Sequence, residues 1–89
     1  MIKRTVTIKN KLGLHARSAS AFVRTVSAFA SNVTVVNEHA TANGKSIMSM
    51  MLLQASKGTE IELLVEGEDE EDALAAIESL INDKFGEEE

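Results

Sequence analysis

Eighty-nine residues with 44% hydrophobic content fit one small domain spanning 1–89, and the absence of cysteine excludes a disulfide framework and thiolate chemistry. A net charge of −5 and a shortage of aromatic platforms, with three Phe and no Trp or Tyr, argue against nucleic acid as the main partner. No apolar run approaches the roughly 20 residues that span a bilayer, and the alternating start MIKRTVTIKN lacks the apolar stretch of a signal peptide, so no membrane contact and a cytoplasmic location are expected.

Strand Ile2–Lys9 comes first, with Ile2, Val6 and Ile8 on one face and Lys3, Thr5, Thr7 and Lys9 on the other. A loop, NKLG, leads to an amphipathic helix from Ala16 to about Ala30, whose stripe is Ala19, Phe22, Val23, Val26 and Phe29. Val33–Asn37 and Ala40–Asn43 read as short strands of a hairpin around NEH. Ile47–Leu53 reads as a short helix capped by Ser46, and Thr59–Glu66 as a strand with Ile61, Leu63 and Val65 facing in. Asp69–Lys84 is a helix with an acidic first turn and the stripe Ala73, Leu74, Ile77, Leu80 and Ile81. The acidic tail from about residue 86 is expected to fray. The order β-α-β-β-α-β-α predicts an α+β fold, an open-faced two-layer sandwich in which three helices cover one face of a four-stranded antiparallel sheet. Its core is expected to be aliphatic and methionine-rich.

Charge is divided along the chain. Residues 1–24 carry six basic residues and no acid, whereas from Glu60 onward thirteen acids accompany only Lys84. The basic end suits an anionic ligand or an acidic protein.

Within that end lies NKLGLHARS, residues 10–18, which places His15 where a helix cap belongs. Caps are normally Ser, Thr, Asp or Asn, because their side-chain oxygen accepts an otherwise unpaired N–H. The first turn of a helix, with its free N–H groups and positive dipole end, holds a phosphate readily. A phosphoryl group on the His15 ring could therefore accept from the backbone of Ala16, Arg17 and Ser18, with a charge-assisted contact from the Arg17 side chain. The positive surroundings would favour the neutral imidazole that a nucleophile requires. Taken alone, a histidine before a helix is usually a surface residue. His39, in the predicted hairpin turn, offers it no metal-binding partner, so neither a metal nor a cofactor is expected.

The second cluster is NGKSIM, Asn43–Met48. Ser46 reads as an ordinary cap worth about 1 kcal/mol, or as a phosphorylation site that adds negative charge beside a binding surface. Ile47, Met48, Met50 and Met51 cannot all face inward on so short a helix, and exposed methionine suits a surface that must adapt to several partners.

Together GLHAR at Gly13–Arg17 and NGKSIM at Asn43–Met48 resemble the histidine and serine motifs of the HPr family, phosphocarriers of the bacterial phosphotransferase system, and the resemblance covers essentially the whole chain. It implies that His15 accepts a phosphoryl group at Nδ1 from phosphorylated enzyme I and passes it to a histidine of an enzyme IIA. Arg17 would help to hold and release that group. Ser46 matches the position that an ATP-dependent serine kinase modifies, and Ile47, Met48 and Met51, with Arg24, match the partner-docking surface. A monomer is expected, since one face must meet successive partners. Many relatives carry proline where this chain has Ser18, so a somewhat more flexible first turn with one extra donor is expected here. Neutral Ser27 and Ser49 leave the docking face less basic, which suits a nitrogen-branch or regulatory member. The alternative from a different class is a small-ligand or partner-binding regulatory domain in which His15 is inert.

Overall fold

The computed structural model describes residues 1–89. Period-two alternation produces β1 (Ile2–Thr7), β2 (Asn32–Val36), β3 (Thr41–Asn43) and β4 (Glu60–Glu66), which form one antiparallel sheet in the order β1-β4-β2-β3. Val33 and Val35 of β2, Ala42 of β3 and Ile61, Leu63 and Val65 of β4 turn to one face and are buried. Edge strand β1 contributes Ile2 and Val6, partly buried, together with Arg4, which reaches Glu78 at 3.2 Å. Arg4 is the one break in the strand's alternation, and the sheet edge is where such a side chain can reach solvent and a partner.

Three helices cover the apolar face, so the predicted open-faced sandwich is the observed fold. They are α1 (Ala16–Ser27), α2 (Ile47–Met51) and α3 (Glu70–Asn82), and each is shorter than its apolar pattern suggests. Helix α1 closes early in tight turns, with the Ala28 and Phe29 N–H groups donating to Thr25 and Val26 carbonyls. Its Ala19, Phe22 and Val26 pack with Ala73, Leu74, Ile77 and Ile81 of α3 in the common core. That core is aliphatic but not methionine-rich. Met50 alone is buried; Met48 and Met51 are exposed because α2 is too short to turn more than one methionine inward, and Met1 is exposed ahead of β1. No helix is long and apolar enough to cross a membrane.

Asp69, read from the sequence as the start of the last helix, serves a longer-range contact. It stands immediately before α3, yet its carboxylate makes no cap bond there. Instead it accepts from the Ala30 and Ser31 N–H groups at 2.8 and 2.9 Å and from the Ser31 hydroxyl, tying the α1–β2 link to the start of α3. The Ser31 hydroxyl first, then the Ala30 N–H, hold its carboxyl below the ordinary aspartate value of 3.8 against the upward push of burial. A depressed carboxylate stabilises the fold fully above its unfolded value and loses that effect as pH falls through the lower folded value. Asp69→Asn therefore lowers the thermal midpoint at neutral pH, and the gap from the parent protein closes on acidification below about 3.8. Melts from pH 7 to pH 2 check both the loss and its disappearance.

Candidate functional site

The loop before α1 is folded by its own polar groups. Asn10 is fully buried, and its Nδ2 donates to the Gly13 carbonyl at 2.8 Å. Gly13 has φ +67°, a left-handed conformation that glycine adopts without penalty, and it lies against the backbone of Ala55 and Ser56. Its neighbour Leu14 donates to the Ala55 carbonyl at 2.8 Å and is buried, so the chain enters the helix from a fixed point. His15 follows at the cap position in an extended conformation, φ −137° and ψ −174°.

Ser18 is not the loosening element that the missing proline suggests. Its side chain is fully buried. The hydroxyl accepts from the His15 N–H at 2.9 Å and donates to the Gly13 carbonyl at 2.8 Å, one half of a capping box. The hydroxyl is thus consumed inside the loop and is no extra donor for a ligand. In the other half, the Ser18 N–H faces the His15 side chain without completing a cap hydrogen bond. Ala16 and Arg17 remain, both exposed, and their N–H groups have no acceptor within the chain. The Arg17 side chain likewise makes no hydrogen bond or ion pair. At the mouth of the helix, therefore, two free N–H donors and a free guanidinium adjoin an imidazole whose side chain is 32% exposed.

The surroundings of that ring are not purely positive. Nε2 of His15 lies 2.8 Å from Oε2 of Glu87, whose other oxygen accepts from Asn10 Nδ2 at 2.8 Å. Burial pushes the Glu87 carboxyl up, but the Asn10 and His15 hydrogen bonds and the charges of His15 and Arg17 together hold it below the ordinary value of 4.5. An ionised carboxylate can only accept, so Nε2 carries a proton, and whenever the ring is neutral the lone pair lies on Nδ1.

The tail that brings Glu87 here differs from the frayed end expected of it. Lys84–Gly86 form a tight turn with left-handed φ at Lys84 and Phe85, 55° and 56°. Such conformations cost about 1–2 kcal/mol per residue, which is offset by burial of the Phe85 side chain in the core, worth about 1.5–3 kcal/mol. Beyond the turn, Lys11 pairs with Glu89 through its backbone N–H and through Nζ, the latter at 3.3 Å.

The second motif folds as a turn onto α2. Lys45 N–H donates to Asn43 Oδ1 and Ser46 N–H to the Asn43 carbonyl, while Gly44 passes so close to Val33 that a Cβ would meet its side chain at 2.8 Å. Ser46 caps α2 as predicted, accepting from Ser49 N–H at 3.2 Å. Helix α2 packs beside α1, and its Ile47, Met48 and Met51 are exposed. Arg24, in the last turn of α1, is also exposed. His39 stands exposed in the hairpin turn, as expected, beside Glu38.

Four contributors escaped sequence reasoning. Leu12 and Leu52, 69% and 66% exposed, extend the apolar surface formed by α2. Leu12 also lines the same shallow hollow as His15, Arg17 and Glu87. Asn10 could have been found from the turn chemistry of asparagine in NKLG. For Glu87 the only signal was charge complementarity between the acidic tail and the basic first third of the chain.

The family described as "PTS HPr component phosphorylation site" matches residues 2–83. The chain is 51% identical over 87 residues to "Phosphocarrier protein HPr" of Neisseria meningitidis serogroup A, covering 98% of each. Among solved structures it resembles HPr-C-His from Thermoanaerobacter tengcongensis, with a TM-score of 0.94, 48% identity and complete coverage of both chains. It also resembles the HPr dimer of that organism, with a TM-score of 0.77 and coverage of 98% of this chain and 100% of that one.

Proposed function

The chain belongs to the HPr family of phosphocarrier proteins, and from that premise we propose that it carries a phosphoryl group on His15 Nδ1 between phosphorylated enzyme I and enzyme IIA proteins of the phosphotransferase system. The observation that carries the proposal is the combination at the α1 cap: Nε2 is engaged by Glu87, the His15 side chain faces the Ser18 N–H, and the Ala16 and Arg17 N–H groups beside it lack acceptors. Donors at a helix mouth stabilise a dianion modestly. A carrier needs that modesty, because a deep cage would retain the group it must pass on. Transfer between histidines is close to balanced, so most of the protein's contribution is positioning. Incubation with enzyme I and labelled phosphoenolpyruvate tests the reading: acid-labile label appears on the chain if it holds, and no labelling by any cognate enzyme I defeats it.

Docking is assigned to the exposed face of α2, with Ile47, Met48 and Met51, together with Arg24. Met48 is 81% exposed and contributes little to the core, so Met48→Asp weakens binding to enzyme I by about tenfold, which sets it among the minority of interface residues that cost more than about 1 kcal/mol. The thermal midpoint stays where it was. Titration calorimetry beside a melt separates the two effects.

Ser46 is proposed as a regulatory site for a serine kinase. Its Oγ caps the helix that bears Met48, so a phosphate there places a dianion within the docking face and reduces traffic through His15. The carrier is proposed to act as a cytoplasmic monomer in sugar uptake and its regulation. The neutral Ser27 and Ser49 on a weakly basic docking face favour, as the second reading, a nitrogen-branch or regulatory role. Transfer to a sugar-branch or a nitrogen-branch enzyme IIA discriminates the two.

A further inference from the structure

We infer that Glu87 is a positioning residue for phosphoryl transfer, its carboxylate holding the Nε2 proton of His15 so that the Nδ1 lone pair faces the incoming phosphorus; the inference rests on the reading of His15 as the nucleophile. The contact is more than a loose ion pair between surface groups. The Glu87 side chain is only 12% exposed, both of its oxygens are engaged, and the distances to His15 Nε2 and Asn10 Nδ2 are each 2.8 Å. By comparison, the Glu89 side chain in the same tail is 72% exposed. Asn10 also holds the Gly13 carbonyl, so one buried side chain fixes both the loop that delivers His15 and the carboxylate that orients its ring. On the far side of Glu87, burial of Phe85 fixes where the tail begins.

The chemistry follows from that arrangement. The Nδ1 lone pair forms the new N–P bond while the bond from phosphorus to the donor nitrogen breaks, its electron pair leaving with the donor. Nε2 keeps its proton, so positive charge develops on the ring as the N–P bond forms. A carboxylate 2.8 Å from Nε2 stabilises that charge and disfavours the tautomer in which Nδ1 is protonated and cannot attack. On return transfer the charge disperses and the same hydrogen bond remains. Glu87 itself exchanges no proton and touches no phosphoryl oxygen.

The test compares the full chain with Glu87→Ala and Glu87→Gln by ring-nitrogen NMR and by single-turnover phosphorylation from enzyme I. In the parent protein the neutral His15 ring shows Nε2 as the protonated nitrogen. Glu87→Ala gives a mixture of tautomers and a rate about tenfold lower, an effect of orientation, and it also lowers the thermal midpoint at neutral pH, so the ring spectra and not the melt report the positioning role. Glu87→Gln, whose amide oxygen can still accept from Nε2, restores the tautomer and part of the rate. A Glu87→Ala protein with parental ring spectra and parental rate overturns the inference, as does a parent ring protonated on Nδ1. If the parent itself takes no phosphoryl group, the carrier reading fails separately, and the ring spectra still decide whether Glu87 sets the tautomer.

Discussion

Gly13→Ala destabilises the protein by about 2–5 kcal/mol and slows phosphoryl acceptance, although residue 13 touches no ligand. Two penalties combine. A side chain at φ +67° is strained by about 1–2 kcal/mol. The new Cβ also falls 2.3 Å from the Ala55 carbonyl oxygen and 2.8 Å from Ser56 Cα, overpacking of a kind worth about 1–3 kcal/mol. Both obstacles are backbone atoms, which cannot swing aside as a side chain would. Relief requires the 10–14 loop to move off the Ala55 segment, which breaks the 2.8 Å bond from Leu14 N–H. The Gly13 carbonyl accepts from both Asn10 and Ser18, so its displacement also loosens the cap that presents His15. Urea unfolding measures the first effect and single-turnover transfer the second. A loss under about 1 kcal/mol would mean that the loop accommodates the methyl group, contrary to the packing described.

His15→Ala abolishes acid-labile phosphorylation and costs the fold only the hydrogen bond to Glu87. The nucleophile has no substitute: the only other histidine, His39, lies in the β2–β3 turn, and the chain has no cysteine. The loss stays small because the imidazole is partly exposed and packs in no part of the core. Arg17→Ala behaves differently. Its guanidinium is exposed and unpaired within the chain, so removing it slows transfer without abolishing it and without a matching loss of stability. Label counted per chain beside a thermal melt distinguishes the two variants. Residual acid-labile phosphate on His15→Ala would place the nucleophile elsewhere.

The fold was legible because its elements are regular. Ile61, Leu63 and Val65 alternate in β4, and the helical spacing of Ala19, Phe22 and Val26 leaves little choice of face. The motif around His15 was equally readable, since a histidine where a serine or aspartate belongs stands out against capping chemistry. What escaped was long-range. Asp69 reads as part of the acidic first turn of a helix and serves the α1–β2 link, some 39 residues away in sequence. Ser18 reads as a gap left by a proline and proves to be a buried capping hydroxyl. Glu87 sits in a run of three glutamates with no periodicity, and only the fold brings it beside His15, 72 residues distant. Contacts of that kind depend on where a turn such as Lys84–Gly86 sends the chain, and composition carries no record of it.

The most direct measurement is phosphorus and ring-nitrogen NMR of the chain after enzyme I and phosphoenolpyruvate have acted on it. The account predicts a phosphoryl group on Nδ1 of His15 alone, with Nε2 still protonated and facing Glu87. Phosphorus bonded to Nε2, or none on His15 while enzyme I is active, would contradict it.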